Sequence, residues 1–350
     1  MALPATSTLR EEILEQPAAA ERQLASSGGV LAALVARLRA EPVDLVVIAA
    51  RGSSDHAAIY AQYLLGTIHR LPVALAAPSI VSLYGVVPRF ARALVVGISQ
   101  SGASPDIVAV VDGARRQNVP TLAITNDPAS PLAAAAEYVI DLDAGPERAV
   151  AATKTYTTSL LAIARLSAAL LDEPDALAAL AHVPAAIERA LAVEPEVQAI
   201  AAAMAAVDRC VILGRGYEYA TAREWALKLK ELARVFADPY SAADFQHGPV
   251  ALVEPGVPVL AVVPEGVASA GLVELLARLR ERGADVLTLS DSATIRAAGG
   301  PSVALPADVP EWLRPIVSIV PAQLFAYHLT RARGLDPEAP RNLTKVTRTR

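Results

Sequence analysis

Two pairs of stretches in this sequence follow one plan, and that repetition limits the fold more than any other feature. "LVVIAARGSSDHAAIYAQYLL" and "CVILGRGYEYATAREWALKLK" each run from a short apolar segment through a glycine-containing polar turn into helical periodicity. "ALVVGISQSGASPDIVAVVDGARRQNVPTLAITND" and "PVLAVVPEGVASAGLVELLARLRERGADVLTLSD" repeat a second order: apolar segment, polar turn, helix ending in basic residues, apolar segment. Short apolar runs alternating with helices are the pattern of parallel strands joined by crossover helices. The echo lies in order and spacing more than in identity. It predicts an internal duplication of an α/β unit, each copy a parallel-sheet, nucleotide-binding-like (flavodoxin-like) sandwich.

Strands are expected at 45–50, 94–98, 121–125 and 138–142. Before them, Thr8 to Glu11 ("TLRE") has the spacing of a capping box, and "REEILEQPAAAERQLAS" reads as a helix interrupted at Pro17. The predicted organisation is a helical lead-in (1–40), a first α/β domain (41–190), a second (195–335) and a tail (336–350). The alanine-rich stretch 151–207, with breaks at Pro174, Pro184 and Pro195, reads as the joint. A chain of 350 residues suits two domains. With 53% hydrophobic but only 4% aromatic residues, its core must come from Ala, Val, Leu and Ile, which suits helices on Val-rich strands.

Charge and cysteine usage narrow the function. A net charge of −5 supplies no broad basic field, which argues against a nucleic-acid partner. Cys210 is the only cysteine, so an intramolecular disulfide and a cysteine-rich zinc site are both excluded, and a reducing cytoplasm fits. The start "MALPATSTLREEILEQ" lacks a basic segment followed by an apolar one, and no apolar run has the length of a membrane span. These features predict a soluble, cytoplasmic protein without membrane contact.

Ligands of open parallel sheets bind at the carboxyl ends of strands, where loops meet helix amino termini. "SQSGAS" occupies such a place: Ser99, Ser101 and Ser104 each carry a donor hydroxyl, Gln100 an amide, and Gly102 permits close backbone approach. "RGSSDHA", with Ser53 and Ser54, is placed to close the same cradle from a neighbouring loop. Singly, such residues turn chains and cap helices. Two clusters on neighbouring strand ends point to anion binding by neutral donors, which leaves a phosphate exchangeable.

A second constellation lies in "TAREWALKLKELARVFA". Ala222, Trp225, Ala226, Leu229, Leu232, Ala233 and Phe236 form the expected apolar stripe, and Glu224, Lys228 and Glu231 follow one line on the remaining surface. On a solvated face that line is an ordinary ion-pair ladder. In a cleft, Lys228 holds the acid ionised while Glu231 moves protons. His247 follows in "QHGP", its backbone constrained by Gly248 and Pro249. Lys345 lies in "APRNLTKVTRTR", by default a frayed basic tail, with Leu343 and Val346 able to anchor it.

"EILEQP", "SQSG", "VAATKTYTT", "ALKLKE", "QHGP" and "APRNLTKVT", in this order over nearly the whole chain, resemble the sugar isomerase (SIS) double-domain family. Within it the chain resembles the isomerase half of glucosamine-6-phosphate synthase and the stand-alone SIS-type glucosamine-6-phosphate deaminases. The resemblance implies that Ser99, Gln100, Ser101 and Ser104, with Ser54, hold a sugar phosphate beside Ser53. It implies that Val150 and Ala151 line the sugar, that Glu231 shuttles a proton between C1 and C2, and that Lys228 is its cationic neighbour. His247 would open the ring from the other subunit of a homodimer with a shared active site. Lys345 corresponds to the lysine that forms a Schiff base in the synthase. Neither metal nor redox cofactor is implied.

The departures from that pattern are specific. A glutaminase segment with an amino-terminal cysteine is missing from these 350 residues, Ala103 stands where the synthase has glutamate, and Ser104 replaces threonine. "ARGSS" replaces Cys-Gly-Thr-Ser, which puts Arg51 before the glycine. The ending "KVTRTR" is closer to the deaminases. The expected activity is conversion of glucosamine 6-phosphate to fructose 6-phosphate and ammonia by enolisation. The alternatives are a fructosamine-6-phosphate deglycase or other aldose–ketose isomerase, ammonia-dependent synthesis, and a non-catalytic sugar-phosphate sensor. A sensor would have no use for Glu231, His247 and Lys345 together.

Overall fold

A computed structural model describes residues 7–26 and 28–346. Its strands, among the described residues, form two sheets of five in which every pairing is parallel. The first contains β1 (Leu45–Ala49), β2 (Val73–Leu75), β3 (Ala93–Ile98), β4 (Thr121–Thr125) and β5 (Tyr138–Asp141), in the order β2-β1-β3-β4-β5. The second contains β6 (Arg209–Gly214), β7 (Phe236–Ser241), β8 (Pro258–Val262), β9 (Asp285–Ser290) and β10 (Ser302–Ala304), in the order β10-β9-β8-β6-β7. The two orders are the same once each sheet is numbered from its own first strand. The duplication read from the sequence is therefore a duplication of topology, with a switch point between β1 and β3 in one sheet and β6 and β8 in the other.

The four strands expected in the first half are all present within a residue or two. Central β3 and β4 are buried along their whole length, because helices cover both faces, and so they read as unbroken apolar runs. Strands β2, β7 and β10 carried no such run. β7 contains Pro239, which is tolerated because β7 is an edge strand with no neighbouring strand on its outer side to need that N–H.

The chain divides into two compact units. The amino-terminal unit comprises Gln16–Glu147, Lys154–Pro184 and the chain from Thr344; the carboxy-terminal unit comprises the segment up to Glu15, Arg148–Thr153 and Ala185–Leu343. The lead-in is thus shared between units, its helices Thr8–Leu14 and Gln16–Ala25 meeting just before Pro17. The first helix is capped by Ser7, whose hydroxyl accepts from the Arg10 N–H at 3.3 Å, and not by the box starting at Thr8. Ser7 has the extended backbone that a cap requires, while Thr8 is already helical.

The alanine-rich stretch is not a bare joint. Helix Lys154–Leu171 is buried along nearly its whole length, and the prolines open helices (Pro174–Ala181, Val183–Leu191, Glu194–Ala203) more than they end them. No single helix among the described residues is long and apolar enough to cross a membrane. Cys210 is buried in β6, where desolvation pushes its thiol up to about 12.

Candidate active site

In the amino-terminal unit, β1 and β3 pair directly, with Ala49 opposite Gly97, so the loops that leave their carboxyl ends are neighbours. The loop after β3 is held by its own groups. The Ser99 hydroxyl accepts from the Gly102 N–H at 3.2 Å, the Ser101 hydroxyl accepts from the Ala103 N–H at 3.4 Å, and the Gln100 carbonyl accepts from the Asn126 N–H at 3.1 Å. Both serine hydroxyls act there as acceptors, which leaves each O–H to donate elsewhere.

Ser104 occupies the N-cap of helix Pro105–Arg115 yet makes no side-chain capping bond. Ser54 and the Gln100 amide likewise have no partner among the described residues. Were these residues present only to cap helices, their polar groups would be engaged in the caps. Ser53 and Ser54 open helix Ser53–His69 after Gly52, whose φ of 55° lies in the left-handed region. Gly102 is fixed by both geometry and space: its φ is 58°, and a Cβ there would stand 2.0 Å from the Ser130 Oγ.

The cradle is not wholly neutral, as its serines alone suggested. Arg51, the residue before Gly52, donates through Nε and Nη2 to the Asp106 Oδ2 at 3.0 and 2.9 Å, and Asp106 sits in the first turn of helix Pro105–Arg115.

The matching place in the carboxy-terminal unit, between β6 and β8, is nearly closed. Its cavity of about 20 Å³ is lined by Arg215, Glu218, Ser269 and Glu311 among others. The Glu311 carboxylate accepts from the Val267 N–H at 3.2 Å, and Glu218 is fully buried and accepts from the Thr221 and Ser318 hydroxyls. Burial pushes the Glu218 carboxyl up to about 7 against these hydrogen bonds. The protein's own acids line the second switch point.

The ladder of the second constellation is not solvated. Helix Glu218–Lys228 continues as one π-helical segment, Leu229–Ala233, a form that recurs at functional sites. Glu224 and Lys228 are buried with the apolar stripe, at 0% and 1% side-chain exposure, whereas Glu231 retains 23%. The Lys228 Nζ lies 2.6 Å from the Glu231 Oε2 and 3.4 Å from the Glu224 Oε1. A buried ammonium thus sits between two carboxylates, and Glu231 alone of the three stays accessible. Phe236, expected in the stripe, instead begins β7 and is 84% exposed, because the left-handed Arg234 ends the helix first.

The remaining expected residues fall in three places. His247 is exposed, follows the short helix Ala242–Phe245, and its ring makes no bond among the described residues. Val150 and Ala151 belong to the carboxy-terminal unit, in a segment whose Ala149 N–H donates to the Glu12 carboxylate. Lys345 is not frayed: its Nζ lies 2.6 Å from the Glu147 Oε2. Glu147, which sequence reasoning passed over, has no side-chain exposure and also accepts from the Thr155 N–H and hydroxyl at 3.0 and 2.8 Å. Its only signal in sequence was a carboxylate just ahead of "VAATK".

Comparison with known proteins agrees with this architecture. A glutamine–fructose-6-phosphate aminotransferase (isomerizing) of Methanothermobacter thermautotrophicus is 35% identical over 338 residues, which is 96% of this chain and 56% of that protein. The chain spans about half the length of the curated relatives it matches. A crystal structure from Silicibacter pomeroyi, provisionally described as a phosphosugar isomerase, superposes with a TM-score of 0.86 at 36% identity, covering 95% of this chain and 100% of that one. The C-terminal domain of glucosamine-fructose-6-phosphate aminotransferase from Francisella tularensis superposes with a TM-score of 0.84 at 28% identity, covering 95% and 98%. The SIS domain profile matches residues 43–169 and 203–332, one span around each sheet. With a parallel five-stranded sheet in each matched span, the chain belongs to the SIS domain family and carries the domain twice.

Proposed function

We propose that the chain is an amino-sugar-phosphate isomerase and deaminase that converts glucosamine 6-phosphate and water to fructose 6-phosphate and ammonia. The observation that carries this reading is Lys228 buried between Glu224 and Glu231, with Glu231 accessible. A carboxylate set 2.6 Å from an ammonium and partly shielded from water is placed as a base for proton abstraction beside a carbonyl.

The serines and Gln100 bind the phosphate ester. His247, contributed by the second subunit of a homodimer, opens the ring. Glu231 removes the C2 proton to give an enolamine, then returns a proton to C1, which leaves a ketimine at C2. Water adds to that ketimine, and ammonia departs to give the ketone. Lys345, positioned by its contact with Glu147, donates to substrate oxygens in this direction and needs no covalent step. Val150 and Ala151 contact the sugar. Within these residues the one thiol, Cys210, is buried and pushed up to about 12, so it offers no thiolate to release ammonia from glutamine.

Purified protein offered glucosamine 6-phosphate should release ammonia and fructose 6-phosphate in equal amounts. Glu231→Gln should lower kcat by about a hundred- to ten-thousand-fold while leaving binding of fructose 6-phosphate intact. Turnover retained in that variant would remove Glu231 from the mechanism.

A further inference from the structure

The steps above leave unused a charged group in the loop that carries Ser53 and Ser54. Arg51 stands where β1 ends and helix Ser53–His69 is about to begin. Its guanidinium reaches the head of helix Pro105–Arg115 and bonds Asp106, so it spans the two loops that carry the cradle serines. Asp106 has no side-chain exposure; its second oxygen accepts from the Ile107 N–H at 3.0 Å. Arg51 keeps 48% of its side chain exposed, and its remaining N–H groups meet no acceptor among the described residues. A cation serving only to neutralise a buried acid would be drawn in with that acid. This one is anchored along one edge and left open along the other.

We propose that Arg51 is the charge-reading member of the phosphate cradle and that Asp106 is the positioning residue that aims it. The proposal rests on the reading of the serine loops as a sugar-phosphate site and adds what that site selects: a doubly charged phosphate monoester in preference to a singly charged ester. A guanidinium supplies paired, charge-assisted donors matched to phosphate oxygens, and such bonds are about twice as strong as neutral ones. Asp106 offsets part of the positive charge, so the ester remains exchangeable.

The test is calorimetric titration of the whole chain, as wild type, Arg51→Gln, Arg51→Lys and Asp106→Asn, with fructose 6-phosphate and with its singly charged 6-sulfate analogue. Wild type should prefer the phosphate, and its affinity should fall on acidification through about pH 6, where a phosphate monoester takes up its second proton. Arg51→Gln should weaken phosphate-ester binding by about 10- to 100-fold, weaken the sulfate less, and flatten the pH dependence. Arg51→Lys should recover part of the preference, and Asp106→Asn should fall between wild type and Arg51→Gln. Arg51→Gln binding the phosphate within about twofold of wild type, or losing both esters equally, would make the pair a mere tie between loops and overturn the proposal. Wild type binding neither ester would overturn the sugar-phosphate reading itself. If Arg51→Gln fails to fold by thermal melting, the phosphate-to-sulfate ratio in Arg51→Lys decides, since that change keeps the charge and removes the planar fork.

Discussion

At the scale of single residues, burial changes what a charge means. Glu224, Lys228 and Glu231 have the spacing of any surface ladder, and on a surface they would contribute a few tenths of a kcal/mol per pair. Enclosed with Trp225 and Leu229, Lys228 and Glu224 instead form a buried pair, and removing Lys228 takes a compensating charge from a carboxylate that water does not reach. Glu218 shows the opposite case, an acid buried with no ion pair among the described residues, so that desolvation outweighs the pull of Arg314. Its folded-state pKa of about 7 lies above the ordinary 4.5, so the folded protein holds that proton more tightly than the unfolded chain. The stabilisation is full below the unfolded pKa and is lost as pH rises through about 7, a change on the order of 3 kcal/mol. Glu218→Gln should therefore flatten the dependence of urea-unfolding stability on pH between those two values, and a slope equal to wild type would show that another group titrates there.

At the scale of elements, the strand ends decide where chemistry can sit. The Ser99–Ser104 loop works because Gly102 turns left-handed against Ser130, so Gly102→Ala should cost about 2–5 kcal/mol in chemical denaturation from the backbone and the collision together. The same variant should lose fructose 6-phosphate binding; unchanged stability and binding would mean the loop has slack to absorb a methyl group. Much of this element was legible beforehand. An apolar run ending in "SQSGAS" announced a buried strand opening onto polar donors, and β1, β3, β4 and β5 fell where expected. What stayed hidden were short or edge strands such as β7, whose half-exposed residues carry no unbroken apolar signal, and the π-helical segment, which no residue pattern marks.

At the scale of the whole molecule, duplication produced two topologically equal units with unequal switch points. One carries serine hydroxyls, the other is narrow and lined by Glu218 and Glu311. Under the proposed function, His247 acts across a dimer. Glu231→Gln and His247→Ala should each be inactive alone, and mixing them under conditions of subunit exchange should restore about a quarter of wild-type activity, because half the dimers are mixed and each then holds one intact site. No recovery on mixing, with exchange verified by mass, would place His247 in the same subunit as the site it serves.

The sequence by itself determined the repeated α/β plan, the parallel sheets, the serine-rich turn and the candidate acid, base and lysine, because apolar periodicity and turn chemistry are local properties written residue by residue. Only the tertiary structure decided that Glu224 and Lys228 are buried while Glu231 stays accessible, that Arg51 answers to Asp106 across 55 residues, and that Lys345 docks on Glu147 across 198. Desolvation and pairing depend on what the rest of the fold brings alongside a side chain, and no spacing along the chain contains that information.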